Sequence, residues 1–293
     1  MAARLKLTKS GKGWRGTCPA CGYSGAFTLT LGTNGRPIYW CSCCQDKAGI
    51  AAAVRGVGAG EQCAGAKFVP GKDEAALERR LKAFEAARVV WSGAAPVTPD
   101  DPAAKYLTRR GLAHLIGCLT LRYRDDVPHP AGGRAMGLVA LVQSVDGKPL
   151  GIHRTYLQPD GTKTCLIPPK ASLGPIWGGG IRLAAAAPKI IVGEGIESAA
   201  SAGLLLGLPA WAAISAGNLG KGLVLPPDVR SVVIGADDDG VSKQGRNPGI
   251  EAAEAAAARW LDEGRMVRII KPSVTGKDFN DVLQDRTAGK VAP

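Results

Sequence analysis

Aromatic side chains are scarce in this chain. Phe, Tyr and Trp make up 5% of 293 residues, while glycine alone occurs 40 times. So little ring volume implies aliphatic cores built on closely packed, small-residue helices. Long hydrophobic runs are absent as well. No apolar stretch reaches the roughly 20 residues that a membrane-spanning helix needs. The opening residues, Met1 to Lys6, lack the apolar core of a signal peptide. The expected compartment is therefore the cytoplasm, with no membrane partner, and there the eight cysteines are not expected to form disulfides. No GxxxxGK[ST] loop occurs, which excludes a recognisable helicase motor. Acidic residues are also in deficit, 25 against 37 Lys plus Arg, for a net charge of +12. A surplus of that size points to a polyanionic partner, because cations that neutralise phosphates release condensed counterions.

Five of the eight cysteines fall between Cys18 and Cys44. Cys18 with Cys21, and Cys41 with Cys44, form two CxxC knuckles separated by 19 residues. Each knuckle offers two thiolates, and tetrahedral Zn²⁺ takes two such pairs. Cys43 could replace Cys44, at the expense of a less usual CxC knuckle. Phe27, Ile38 and Trp40 are expected as the minimal core, and the metal as the source of stability. Lys6, Lys9, Lys12, Arg15 and Arg36 are interleaved with Trp14, Tyr23, Tyr39 and Trp40. Cations for phosphates and flat rings for bases compose a single-strand binding surface, with Trp14 the expected contact and Trp40 in the core. The remaining cysteines, Cys63, Cys118 and Cys165, read as buried small hydrophobes.

Four regions follow from composition and period. Residues 1–65 are the zinc-binding ribbon, and 66–95 a linker with an amphipathic helix. That helix, 73–91, puts Leu77, Leu81, Phe84 and Trp91 on one face, with Asp73 as N-cap. Residues 96–185 form a small basic α+β subdomain, with a helix over 103–111 closed by Gly111. Strand-forming sequence lies over 136–144, and turn signals occur at Asp146-Gly147 and Pro159-Asp160-Gly161. From residue 186 onward strands and helices alternate. Strands are expected at 189–192, 209–215, 230–236 and 266–270, and helices at 197–206, 249–263 and from Phe279. That alternation predicts a parallel sheet covered on both faces.

Three acidic motifs close predicted strands of that sheet: Glu194 after Ile190-Ile191, Asp237-Asp238-Asp239 after Val232-Val233-Ile234, and Asp278 to Asp281 soon after Ile269-Ile270. Ligands of open α/β sheets bind beyond the carboxyl ends of the strands. Asp237 and Asp239 lie two apart and share a direction in extended chain. Clustered carboxylates repel unless cations neutralise them, and oxygen-rich sites of this kind suit Mg²⁺ or Mn²⁺.

Glu194-Gly195-Ile196-Glu197-Ser198, Asp237-Asp238-Asp239 and Lys277 to Leu283 resemble the Toprim domain of phage- and plasmid-type primases. The ribbon resembles the zinc domain that precedes Toprim in primases, and Gly151 to Lys163 the basic subdomain before it. Two features depart from the pattern. Ser198 stands where the bacterial replicative primase has an acid, with Glu197 one residue earlier, and Val241 to Pro248 is inserted. The resemblance implies an α/β Toprim fold joined to a small α+β subdomain and a zinc ribbon. It implies a DNA primase, which makes short RNA primers on single-stranded DNA from ribonucleoside triphosphates, working with a separate replicative helicase. Glu194, Asp237 and Asp239 would be catalytic and hold Mg²⁺, with Asp278 and Asp281 as a second tier. His153, Arg154, Lys163 and Lys170 would guide template or triphosphate. Two alternatives are a Toprim nuclease and a non-catalytic zinc-ribbon protein that binds nucleic acid. A topoisomerase would need a nucleophilic tyrosine in a further domain.

Overall fold

The computed structural model describes residues 2–57 without 4, 12, 24, 32–36 and 43–45, and residues 74–289 without 239 and 241–246. The chain divides into two compact units, 1–71 and 72–293.

The first unit is a four-stranded antiparallel meander of β1 (Thr8–Ser10), β2 (Gly13–Gly16), β3 (Phe27–Leu31) and β4 (Pro37–Cys41), followed by α1 (Lys47–Val57). Its core is Cys18, Phe27, Leu29, Cys41, Ile50 and Val54. Side chains alternate along β4, and Cys41 pairs with Phe27 on the inner face. Tyr39 shares that face. Ile38 and Trp40 point the other way and are 58% and 39% exposed. The expectation for the two tryptophans is therefore reversed: Trp14 packs against the core and Trp40 faces solvent. The strand's period, set by the need to bury Cys41, decides this.

The second unit opens with α2 (Glu74–Ser92), whose C-terminal half buries Ala87 and Val90 against an antiparallel sheet. That sheet has the order β5 (Ala95–Pro96), β6 (Leu121–Pro128), β7 (Arg134–Gln143), β8 (Pro149–Tyr156), β9 (Lys170–Leu173). Leu77 and Leu81 were expected on the buried face of α2. They are 58% and 56% exposed, because only the C-terminal turns reach the sheet. Between β5 and β6 lies α3 (Pro102–Arg109), started by Asp101, whose carboxylate accepts from the Ala104 amide at 2.8 Å. Of the lone cysteines, Cys118 is half-buried against the core and Cys165 is exposed, against expectation. Cys63 and Asp73 lie outside the described residues.

The second sheet runs β10 (Ile181–Arg182), β12 (Ala210–Ala212), β11 (Lys189–Gly193), β13 (Ser231–Gly235), β14 (Met266–Ile270). All its pairings are parallel except that of β10 with β12. Its central strands β11 and β13 read as apolar runs because both their faces are covered, whereas the edge strand β14 is largely exposed. Ile191 and Val233 face α4 (Ile196–Leu206) and α6 (Phe279–Thr287). Ile190, Val192, Val232 and Ile234 face Ala252, Ala253, Ala256 and Trp260 of α5 (Pro248–Asp262). The first of these clusters continues into Ala103, Tyr106 and Leu107 of α3 and Leu138 and Ala140 of β7, so the two sheets share one core. β12 is shorter than its apolar run. The chain leaves it at Ile214, a β-branched residue held at φ +78°, where the Ile214 amide donates to the Glu194 carbonyl at 2.7 Å.

Candidate active site and metal-binding cysteines

Cys18, Cys21 and Cys41 bring their sulfurs within 4.8 Å of one another. The Cys21 and Cys41 sulfurs are 3.7 Å apart. Two sulfurs on one tetrahedral Zn²⁺ at 2.3 Å stand about 3.8 Å apart, so the donors fit that ion. Burial, with Cys41 and Cys21 adjoining, pushes the Cys18 thiol up to about 11. A cation at this place would instead stabilise the thiolate. Cys43 and Cys44, the alternative fourth ligands, lie outside the described residues.

The carboxyl ends of β11 and β13 stop level, Gly193 beside Gly235. Glu194 and Asp237 therefore leave adjacent parallel strands at the same end of the sheet. Close helix approach holds both. A Cβ at Gly193 would stand 3.0 Å from Ala199 of α4, and one at Gly249 would stand 2.3 Å from the Asp237 carbonyl oxygen. Ser198 donates a close hydrogen bond to Asp237 Oδ1. The serine thus occupies the acid's expected place by orienting a neighbouring carboxylate. Asp238 turns inward. Asn247 donates to its Oδ1 at 2.7 Å, and Lys271 Nζ lies 3.1 Å from its Oδ2. Those bonds, Lys271 first, outweigh burial and hold its carboxyl below the usual range. Asn247 also caps α5, so Asp238 ties the site loop to that helix. Asp239 lies outside the described residues, as do 241–246 of the inserted segment.

Asp278 and Asp281 form the capping box of α6. Asp278 Oδ1 accepts from the Asp281 amide at 2.8 Å, and Asp281 Oδ2 from the Asp278 amide at 3.2 Å. Each carboxylate, expected as a second-tier metal ligand, thus serves the helix cap through one of its oxygens. Among the described residues the three cysteines are the only group of three or more metal-capable side chains. Asn280, between the two aspartates, is fully buried. It donates to the Arg110 carbonyl at 2.7 Å and to Ser201 Oγ at 2.9 Å, tying α6 to α3 and α4.

The four expected template residues divide. The Arg154 guanidinium is buried and donates to the carbonyls of Pro128, Ala171 and Ser172, which makes it a brace of the sheet. Burial first, then the charge of Lys170, lowers His153 to about 4, so it is neutral at physiological pH. Lys163 and Lys170 instead converge on Glu197, at 3.1 and 2.8 Å from its Oε1. Tyr106 donates a close hydrogen bond to the same oxygen. Burial alone would raise the Glu197 carboxyl, but Lys170 and Lys163 hold it well below the ordinary carboxylate range. This constellation is invisible in local sequence, because Tyr106, Lys163, Lys170 and Glu197 come from four separate segments.

A model of the Toprim domain matches residues 189–289, and a model of a domain of unknown function (DUF7146) matches residues 82–183. Two Escherichia coli proteins described as DNA primase TraC are similar. One is 33% identical over 170 residues, 56% of this chain and 11% of that protein. The other is 32% identical over 167 residues, 55% and 14% respectively. The chain thus matches only a small part of the length of these relatives. A solved structure of the DnaG primase catalytic domain bound to ssDNA aligns with 73% of this chain and 81% of its own, at 15% identity and a TM-score of 0.48. Residues 189–289 are a Toprim domain, in a chain similar over more than half its length to DNA primase TraC.

Proposed function

We propose that this protein is a DNA primase, a nucleotidyltransferase that joins ribonucleotides on a single-stranded DNA template. The observation that supports the reading is the level ending of β11 and β13, after which Glu194 and Asp237 leave adjacent parallel strands at their carboxyl ends, the end at which open α/β sheets take ligands. With Asp239 they offer the hard oxygen donors that Mg²⁺ or Mn²⁺ takes. Such an ion, when bound, neutralises triphosphate charge and polarises the attacked phosphorus. Ser198 fixes the Asp237 carboxylate for that duty. Lys163 and Lys170, each about a third exposed, offer ammonium donors to a triphosphate. Catalysis of this kind rests on positioning and charge neutralisation. The cysteine cluster holds a structural Zn²⁺, and the basic ribbon contributes template affinity. A separate helicase would deliver the template.

Labelled ribonucleoside triphosphates, incubated with the protein, Mg²⁺ and varied single-stranded templates, should yield short RNA products. Cleavage of the template with no RNA product would replace this reading with the nuclease one. Neither activity, with template binding kept, would favour a binding module.

A further inference from the structure

We propose that Glu197 is a positioning residue for the nucleotide's triphosphate, holding the Lys163 and Lys170 ammonium groups side by side as a two-cation anion site. The inference rests on the primase reading above and gives its lysines an organiser. The layering carries it. The Glu197 side chain is 9% exposed, whereas those of Lys163 and Lys170 are 30% and 32% exposed. The carboxylate lies beneath and the two cations lie over it, toward solvent. Lys170 reaches both carboxylate oxygens, at 2.8 and 2.9 Å, and Lys163 takes Oε1 at 3.1 Å. The Tyr106 hydroxyl fixes Oε1 from the α3 side. An ammonium has three donors. A single carboxylate shared by two lysines leaves donors for a second acceptor, and a polyphosphate presents oxygens at suitable spacing.

The surrounding charges show why an organiser is needed. Lys163 faces Glu197 of α4, Lys170 of β9, Arg110 at the end of α3, and the Tyr106 ring at 5.8 Å. Lys170 faces Glu197 and the neutral His153 of β8. Glu197 is the one anion named in this set. Burial already lowers Lys163, and Lys170 and Arg110 push the same way against Glu197. Without that carboxylate the pair repels, and a lysine gives up its proton at lower pH.

The test is the binding of inorganic tripolyphosphate, in Mg²⁺-free buffer, to wild type and Glu197→Gln at pH 7 and pH 9. The ratio of their dissociation constants cancels the probe's own titration. The ratio should rise at least about twofold across that range, as the variant's uncompensated lysines begin to lose protons by pH 9. Lys163→Arg with Lys170→Arg in the Glu197→Gln background should restore a constant ratio, because guanidinium keeps its charge. A purely structural glutamate would give a constant ratio in Glu197→Gln, and that result, or wild type that does not bind tripolyphosphate, overturns the proposal. If Glu197→Gln does not fold, Glu197→Asp takes its place. It keeps the charge and shortens the reach, and should weaken binding about fivefold at every pH; unaltered affinity overturns the proposal. Primer synthesis by the same wild-type preparation reads the function separately. A pH-dependent ratio without synthesis would leave the anion site standing and remove the primase.

Discussion

Glu197 and Asp238 are both acids inside quoted motifs, and at neither is the role set by its sequence neighbours. Glu197 faces lysines 27 and 34 positions back along the chain, and Asp238 faces Lys271 33 positions ahead. Glu197→Gln leaves two part-buried ammonium groups without their counter-charge and should lower stability by about 3 kcal/mol. Urea unfolding at pH 7 measures that loss. Because the folded carboxyl is lowered, its contribution is in full force above the unfolded value of about 4.3 and fades only as pH falls through the folded one. The gap between wild type and variant should therefore persist at pH 5 and narrow only in strong acid. A gap that closes between pH 6 and 5 would contradict the lowered carboxyl. Local sequence shows an acid in the first turn of a helix, a position that the helix dipole favours. Only the fold adds the three partners.

At the scale of elements the alternation of strand and helix was legible. Short apolar runs read as parallel strands; Ile190 to Val192 and Val232 to Ile234 form them buried on both faces, and Met266 to Ile270 forms the largely exposed edge strand. Less legible was where a strand stops. The apolar run after Pro209 continues to Ile214, yet pairing ends at Ala212 because the chain turns there to meet Glu194. The amphipathic reading of α2 likewise overreached, since periodicity shows which side is apolar and not how far along the helix a partner extends. The last helix was placed by its motif, and the structure divides the labour within it. Asp278→Ala should cost about 1 kcal/mol through loss of the cap. Asn280→Ala should cost about 3 kcal/mol, because it leaves the Arg110 carbonyl and Ser201 unsatisfied in a buried setting. Thermal melts of the two variants check the order. Equal losses would mean that α6 is held by its cap alone.

At the scale of the molecule, the cysteine ribbon and the Toprim part were legible because each carries its chemistry in closely spaced residues. The antiparallel sheet that lies between them in sequence was legible in outline, with Lys163 and Lys170 singled out, but their convergence on Glu197 appears only in the fold. The two units predict separable losses. Stripping metal from residues 1–71 should unfold that unit, whose core has few large side chains, and leave the 72–293 unit folded; circular dichroism with metal analysis would show a partial loss of signal. The net charge of +12 predicts template affinity that falls steeply between low and physiological salt.

On the proposed function, the strand-end carboxylates hold metal for synthesis and do not hold the fold together. Primer formation by Asp237→Asn beside wild type, with melting temperature and single-stranded DNA affinity read on the same samples, separates the two duties. The amide keeps an Oδ1 acceptor for Ser198, so stability should stay within about 0.5 kcal/mol and template affinity should persist. Primer formation should vanish. Primers made by Asp237→Asn at the wild-type rate would rule out a metal-holding role for Asp237.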